Sequence, residues 1–269
     1  MPHANHTVSQ SRLQPPYPPR IVEETDDFLI VDKPPFLIAH PSKPADTATL
    51  WDELRALLAY EIANGGQISI INRLDRETSG LTLVAKHREA ARAFSLRMMR
   101  REIGKEYLAI VTGHPAQDEW EVDAPILRQG VIAPSAVWVK QTIHPAGARA
   151  LSRFRVERRF SKSGTHYSLV RCFPATGRMH QLRVHLAHSG HAILGDKLYG
   201  PGEDCYLTFI ETGWTPALEA RLILPRQALH SCTLAFDTRE WRTGFPVDLA
   251  AFCDASPQDE RFPRSEVRR

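Results

Sequence analysis

The chain has few of the features that define several large classes of protein. Its 269 residues include four cysteines, Cys172, Cys205, Cys232 and Cys253, and the closest two are 21 positions apart. No Cys-x-x-Cys pair exists, which argues against a structural zinc site and against a disulfide framework. We expect four reduced cysteines that pack as small apolar side chains.

Other features that the sequence lacks argue against further classes of protein. No apolar run approaches the roughly 20 residues that a membrane-spanning helix requires, and residues 1–20 lack the apolar core of a signal peptide. The phosphate-binding patterns GxxxxGK and GxGxxG do not occur, so the sequence does not indicate a nucleotide cofactor. We therefore expect a cytoplasmic protein that uses neither a membrane nor a nucleotide cofactor.

The formal net charge is only +3, but the charge is unevenly distributed. Residues 86–105 contain seven basic residues and two acidic ones, and residues 153–162 contain five basic residues and one acidic one. A local basic excess is expected of a protein that binds a phosphate backbone. A solvated helix face explains such a run at least as often, so charge alone does not decide between the two.

Apolar periodicity predicts more strands than helices. Strand patterns occur at residues 27–34, 68–71, 81–86, 105–113, 136–142, 151–160, 166–173 and 228–236, and helical patterns at 50–63, 87–103, 180–190 and 245–254. Because many strands are adjacent in sequence, we expect an α+β fold with a mixed, mainly antiparallel central sheet and flanking helices. The domain is predicted to span residues 21–254, between a flexible tail at 1–20 and a polar tail at 255–269.

One predicted loop carries a candidate catalytic carboxylate. Residues 71–80 read INRLDRETSG, in which Asp75 is flanked by Arg73 and Arg76. Nearby arginines would keep Asp75 ionised and nucleophilic, and the apolar Leu74 would anchor the loop on the core. A salt bridge between arginine and aspartate at a turn explains the same residues, so this segment alone leaves both interpretations open.

A second segment, residues 175–200, combines a polar turn with a predicted helix. His180 and Arg183 are about one turn apart in that helix and share a face, which suits a carboxylate or a phosphate. Histidines are dense in this segment, but no cysteine or carboxylate completes a tetrahedral set with them. We therefore expect no metal site.

Together these segments carry a family resemblance. RLDRETSGLTLVAK (73–86) resembles the catalytic motif RLDxxTSGLLLxAK of the RluA-type pseudouridine synthases. GRMHQLRVHLAHSGHAILGDKLYG (177–200) is similar to a later motif of that family, and KEYLAIVTG (105–113) resembles its KxYxAxVxG strand. The similarity runs in the expected order from about residue 21 to residue 236. It implies the pseudouridine synthase fold and the isomerisation of uridine in RNA without a cofactor.

The resemblance also implies catalytic roles. Asp75 would be the nucleophile, and Arg183 would pair with it in the active site. Tyr107 would pack against the target uracil and help to remove a proton from its ring. The family usually has histidine where this chain has Asn72; asparagine retains hydrogen bonding but cannot titrate near neutrality, so we expect activity to survive.

Further residues of the same motifs are expected to bind RNA. Arg73 would enter the RNA stack that the target base has left, and Leu182 would form part of the apolar wall of the pocket. The complete set of expected RNA-binding residues is Arg73, Arg76, Leu182, Arg178 and His180.

The substrate implied by the resemblance is a stem-loop of transfer RNA or ribosomal RNA. We expect a monomer of the shorter, stand-alone type without an S4-like domain, with specificity in the loops at 114–135 and 200–227, where the motifs stop. Two alternatives stay open at this level. One is a catalytically inactive RNA-binding protein on the same fold, and the other is a carbohydrate or nucleoside hydrolase that uses Asp75.

Overall fold

The computed structural model describes residues 13–40, 48–254 and 266–268. Its strands are β1 (Arg20–Glu24), β2 (Phe28–Lys33), β3 (Ser69–Ile70), β4 (Ser79–Ala85), β5 (Gly104–Thr112), β6 (Glu119–Asp123), β7 (Ile126–Arg128), β8 (Gln141–Ile143), β9 (Leu151–Lys162), β10 (Thr165–Pro174), β11 (Leu229–Phe236), β12 (Arg239–Arg242) and β13 (Glu266–Arg268). Its α-helices are α1 (Leu50–Leu57), α2 (Ala59–Ala63), α3 (Arg88–Arg100), α4 (Gln181–His188), α5 (Asp204–Thr212), α6 (Pro216–Leu222) and α7 (Val247–Phe252).

One large mixed sheet organises these elements. Its main path runs β1-β2-β4-β11-β5-β10-β9-β6, with β3 beside β4 and with β12 and β13 extending from β11. Within the described residues, β4 and β11 form the one parallel pair, and the other strand pairs are antiparallel. The predicted α+β class with a mainly antiparallel sheet is confirmed.

Strand β2 shows why an uninterrupted apolar run forms part of this sheet. Phe28 and Ile30 pack on the face covered by α3, whereas Leu29 and Val31 pack on the opposite face against α1. Because side chains alternate between faces and both faces are covered, each position of the run is apolar. Thr49 caps α1 as predicted, through a reciprocal capping box with Asp52.

Two predicted elements differ from the structure. The helix expected at 50–63 is divided at Leu58. The dihedral angles of Leu58 are not helical (φ −99°, ψ 29°), but its side chain stays buried. The strand expected at 136–142 is strand only from Gln141 onward. Before it the chain turns back on itself, because the amide of Lys140 donates to the carbonyl of Val137.

The motif-free segment at 200–227 contains two helices, α5 and α6, that the apolar pattern did not predict. Thr215 caps α6 by accepting from the amide of Leu218, and Pro216 occupies the first helical turn. This Thr-Pro pair is a helix-start signal that the sequence carried. Of the two predicted tails, residues 1–12 and 255–265 lie outside the described residues, and Glu266–Arg268 pairs with β12.

Candidate active site

Asp75 lies in the loop between β3 and β4, at the point where β4 meets β11. Gly80 permits this meeting: a Cβ on Gly80 would lie 2.2 Å from the carbonyl oxygen of Ser231 in β11, and its φ is +109°. The loop is anchored by Leu74, which is buried as predicted. Asn72 is also buried, and its side chain accepts from the amide of Leu83 (2.7 Å) and donates to the carbonyl of Leu81 (3.2 Å).

Two side chains donate to one oxygen of Asp75. Arg183 Nη1 lies 2.8 Å from Oδ2, and Gln227 Nε2 lies 3.2 Å from the same atom. No hydrogen bond from a described residue reaches Oδ1, and the Asp75 side chain is 30% exposed. One carboxylate oxygen is therefore held by the protein, and the other is available to a ligand.

Arg183 is held in turn by a second carboxylate. Its Nε and Nη2 donate to the two oxygens of Asp196 at 2.7 and 2.8 Å, while Asp196 Oδ1 also accepts from the amides of Leu198 and Tyr199. The Asp196 side chain is fully buried. This bidentate pairing fixes the plane of the guanidinium and aims Nη1 at Asp75.

The charge state of Asp75 follows from these neighbours. Burial alone would raise its pKa, but the positive charges of protonated His180 and of Arg183, with the hydrogen bonds from Arg183 and Gln227, outweigh burial and lower the pKa to about 2. Burial, with the Arg183 cation second, lowers the pKa of His180 to about 4. His180 is then neutral near neutral pH, so Arg183 is the cation that keeps Asp75 ionised.

His180 faces Asp75 and is held there by Tyr199. The amide of Gln141 donates to the Tyr199 hydroxyl (2.8 Å), and that hydroxyl lies 2.8 Å from His180 Nδ1. These two contacts hold the His180 ring in place beside Asp75. Nε2 lies 3.8 Å from Asp75 Oδ2, and His180 adopts a left-handed conformation (φ 57°) that directs it there.

Asp75, His180 and Arg183 border a cavity of about 600 Å³, a size typical of small-molecule sites. Tyr107 from β5 and Leu182 from α4 line it together with Asp75. Leu182 is buried and also belongs to the core, so it forms an apolar wall. Burial raises the pKa of Tyr107 to about 12, so the side chain is a neutral phenol at neutral pH.

The remaining predicted residues divide into two groups. Arg73 is exposed at the cavity, and no hydrogen bond or ion pair from its side chain to a described residue is present. Arg178 also borders the cavity and uses one nitrogen on the carbonyl of Arg149. Arg76 instead donates to the carbonyls of Phe36 and Leu13 and does not bind Asp75, so its visible contacts are structural.

Sequence reasoning assigned no role to several residues that build this site. Asp196 lies in a quoted motif, Gly195-Asp196-Lys197, which was the available signal. Gln227 immediately precedes a predicted strand and carried no signal. The fully buried Lys33 donates to the carbonyls of Pro34 (2.8 Å) and Arg76 (3.3 Å), which ties the loop that carries Asp75 to the end of β2.

Among the described residues, no group of three or more histidine, cysteine, aspartate or glutamate side chains could hold a metal ion. In the same part of the chain, no helix combines the length and the apolar character needed to span a membrane. The four cysteines are free and buried, which confirms their prediction.

Comparison with known proteins gives consistent results. Residues 27–188 match the family model described as RNA pseudouridylate synthase. The ribosomal large subunit pseudouridine synthase D of Haemophilus ducreyi is 35% identical, over 90% of this chain and 72% of that protein. The protein of the same name from Escherichia coli K12 is 31% identical, over 96% of this chain and 77% of that protein.

Solved structures share the fold. Human RNA Pseudouridylate Synthase Domain Containing 1 superimposes with a TM-score of 0.63 at 24% identity, covering 96% of this chain and 94% of that one. Human RNA Pseudouridylate Synthase Domain Containing 4 gives a TM-score of 0.64 at 22% identity, covering 86% and 90%. At these identities the likeness bears on the fold alone.

Proposed function

The chain belongs to the RNA pseudouridylate synthase family, and from that premise we propose that it isomerises uridines of large-subunit ribosomal RNA with Asp75 as its nucleophile. An RNA pseudouridine synthase is an isomerase. Two of the most similar relatives are named for the large ribosomal subunit, which favours ribosomal over transfer RNA as the substrate. The observation that carries the role of Asp75 is its free Oδ1, on an ionised carboxylate that borders the cavity.

The reaction needs little beyond such a carboxylate. The bond between N1 of uracil and C1′ of ribose breaks, a bond from C5 to C1′ forms, C5 loses a proton and N1 gains one. Because no atom or electron is exchanged with another molecule, we propose that no cofactor takes part. Asp75 could attack C1′, add to the uracil ring or remove the 2′ proton, and each route uses an ionised carboxylate with one oxygen free.

The residues around Asp75 are proposed to have two roles, which are to position its carboxylate and to pack against the uracil. We propose that Arg183 and Gln227 hold Oδ2 so that Oδ1 faces the nucleotide, and that Tyr107 and Leu182 pack against the uracil. Stacking on Tyr107 would offset the few kcal/mol needed to extrude a base from its stack. Because Tyr107 is a neutral phenol, packing is supported more strongly than proton removal.

RNA binding is proposed to depend on cations at the rim of the cavity. Arg73 is exposed there and has no partner among the described residues, so it suits insertion into the vacated stack. Arg178 borders the same cavity as a cation, and His180 borders it as a neutral hydrogen-bonding group. Arg76 would contribute through loop structure instead, since it binds two carbonyls. We further propose that residues 21–254 form the catalytic domain and that it acts in the cytoplasm as a monomer.

Pseudouridine mapping at nucleotide resolution tests this function. Total RNA is compared between cells with and without the gene, complemented by the wild type or by Asp75→Ala. Loss of pseudouridine at sites in large-subunit ribosomal RNA, restored by the wild type and not by Asp75→Ala, is the expected result. Sites in transfer RNA would change the substrate, and restoration by Asp75→Ala would refute the role of the carboxylate.

A purified assay separates the two alternative functions. Incubation with RNA labelled in its uridines should form pseudouridine without releasing free uracil. Release of free uracil would indicate a hydrolase. Binding of RNA by the wild type without any conversion would indicate an RNA-binding protein.

A further inference from the structure

A second cavity adjoins the active-site cavity. It has a volume of about 780 Å³ and runs past the end of α3, the start of β5 and the end of β10; we call it the side groove. Six residues border both cavities, which makes them continuous: Met98, Lys105, Pro174, Thr176, Gly177 and Arg178.

The side groove has an excess of positive charge. Its two acidic residues are already paired, Glu106 with Arg171 and Glu240 with Arg242. Among its cations, Arg153 is paired with Glu121. Arg101 and Lys105 have no acidic partner among the described residues.

Lys105 occupies the junction of the two cavities. It precedes Tyr107 by two residues in β5, so both side chains lie on the same face of the strand. Its side chain makes no hydrogen bond or ion pair with a described residue, and burial lowers its pKa. The Nζ atom lies 3.7 Å from the position of a Cβ on Gly177, where the missing side chain leaves space. A partly buried ammonium without an anionic partner is unfavourable unless a ligand supplies the anion.

The basic stretch at residues 153–162 differs from Lys105, because its cations have partners. Arg155, Arg159 and Lys162 of β9 are paired with acidic side chains, and Arg158 donates to the carbonyl of Cys253. These cations already have partners within the protein. Free positive charge is therefore available beside the active site, at Arg101 and Lys105.

We propose that the side groove binds the phosphodiester backbone of the RNA strand on one side of the target uridine, and that Lys105 contacts the phosphate at the junction. The inference rests on the proposed function, because a flipped nucleotide stays joined to its neighbours and its strand must leave the active-site cavity. The side groove is a continuous path whose unpaired cations match the charge of that strand. Arg101 would contact a more distant phosphate.

Salt dependence of RNA binding provides the test. The probe is a short stem-loop transcript centred on the uridine that the mapping identifies, and the protein carries Asp75→Ala so that the uridine is not converted. Each phosphate contact contributes about 0.7 to 0.9 to the slope of log K against log salt concentration. Lys105→Met and Arg101→Gln should each reduce the magnitude of this negative slope by about that amount.

Two variants serve as controls. Lys105→Arg keeps the charge and should keep the slope. Arg55→Gln removes an exposed cation of α1 that borders neither cavity and should also leave the slope unchanged. Thermal unfolding verifies that Lys105→Met is folded; an unchanged slope in the folded variant overturns the inference.

Neutralising single phosphates locates the contact. Methylphosphonates are placed one at a time around the target uridine, and each RNA is bound to the Asp75→Ala protein with and without the additional substitution Lys105→Met. One phosphate adjacent to the target should show a loss that is not additive with the substitution; additive losses at every phosphate would contradict the proposal. If the wild-type enzyme forms no pseudouridine in any RNA, the proposed function fails, whereas normal conversion with an unchanged slope rejects the groove alone.

Discussion

Arg183 joins two regions of the molecule that hold a carboxylate in opposite ways. In the interior, Asp196 is fully buried and accepts four hydrogen bonds, two from Arg183 and two from backbone amides. In the cleft, Asp75 is 30% exposed and accepts two, both at Oδ2. The carboxylate with four hydrogen bonds is structural, whereas the one with two retains an oxygen that is available to a ligand.

The two regions also depend on each other electrostatically. Two carboxylates share one guanidinium, so this group of three carries an excess negative charge. Asp196 occupies Nε and Nη2 of Arg183, so only Nη1 is available to Asp75. Asp75 is therefore ionised without a bidentate pairing that would occupy both of its oxygens. Removing either carboxylate should therefore have distinct consequences.

The largest expected effect comes from Asp196→Asn. It removes one partner of a buried ion pair, and such losses typically lower the unfolding free energy by about 3 to 5 kcal/mol. Activity should fall as well, because Arg183 loses its orientation. The matched variant Asp75→Asn should abolish activity but lower the unfolding free energy by less than Asp196→Asn does, since its site is partly solvated. Chemical denaturation of both variants measures the contrast; equal losses of stability would contradict it.

Asn72→Ala should have the next largest effect. The buried side chain satisfies the amide of Leu83 and the carbonyl of Leu81, so its removal leaves buried groups unpaired, at a loss of about 1 to 3 kcal/mol. Catalysis should weaken because the loop that carries Asp75 is released. Asn64→Ala, which removes an exposed hydrogen bond to the carbonyl of Tyr60, is the control and should be milder. Equal unfolding curves for the two variants would show that Asn72 does not anchor the loop.

Tyr199→Phe should act more weakly and on the cleft alone. It removes the hydroxyl that links the Gln141 amide to His180 Nδ1, at about 1 kcal/mol of stability. His180 would lose the contact that orients its ring, so we expect kcat to fall by roughly tenfold, equivalent to about 1.4 kcal/mol. Single-turnover kinetics measures the effect. A variant that changes stability but leaves kcat intact would limit Tyr199 to a structural role.

The smallest effect on catalysis near neutrality is expected from pH. Asp75 has a pKa of about 2 and His180 of about 4, so neither titrates between about pH 5 and pH 8, and kcat/KM should be insensitive to these two groups there, with an acid limb near pH 4. For stability, the lowered pKa of Asp75 contributes above its unfolded value of about 3.9, and this contribution is lost as the pH falls through about 2. His180 resists protonation when folded, so stability should already decline between about pH 6.5 and pH 4. A pH–rate profile and denaturation at several pH values test both statements.

Much of the architecture was predictable because its signals are local. The run FLIV of β2 and the capping residue Thr49 specify a buried strand and a helix start from neighbouring residues alone. Where local signals were ambiguous, tertiary packing decided: Leu58 stays buried although the helix breaks there. In the segment around Trp138, a turn replaced the expected strand.

The candidate site was predictable only in part. Motif resemblance predicted that Asp75, Tyr107 and Arg183 lie together, and the structure brings them to one cavity. It did not indicate that Gln227 holds Asp75 or that Asp196 holds Arg183. Arg76 is next to Asp75 in sequence and yet binds other groups, because the turn directs its side chain toward Phe36.

By itself, the sequence determined which chemical groups this protein has and where its apolar runs form strands and helices. Tertiary structure decided which groups meet, since Asp75 is separated from Arg183 by 108 residues and from Gln227 by 152. These contacts depend on the position of β11 between β4 and β5. Strand order arises from burying all the apolar faces at once, and no local segment encodes that requirement.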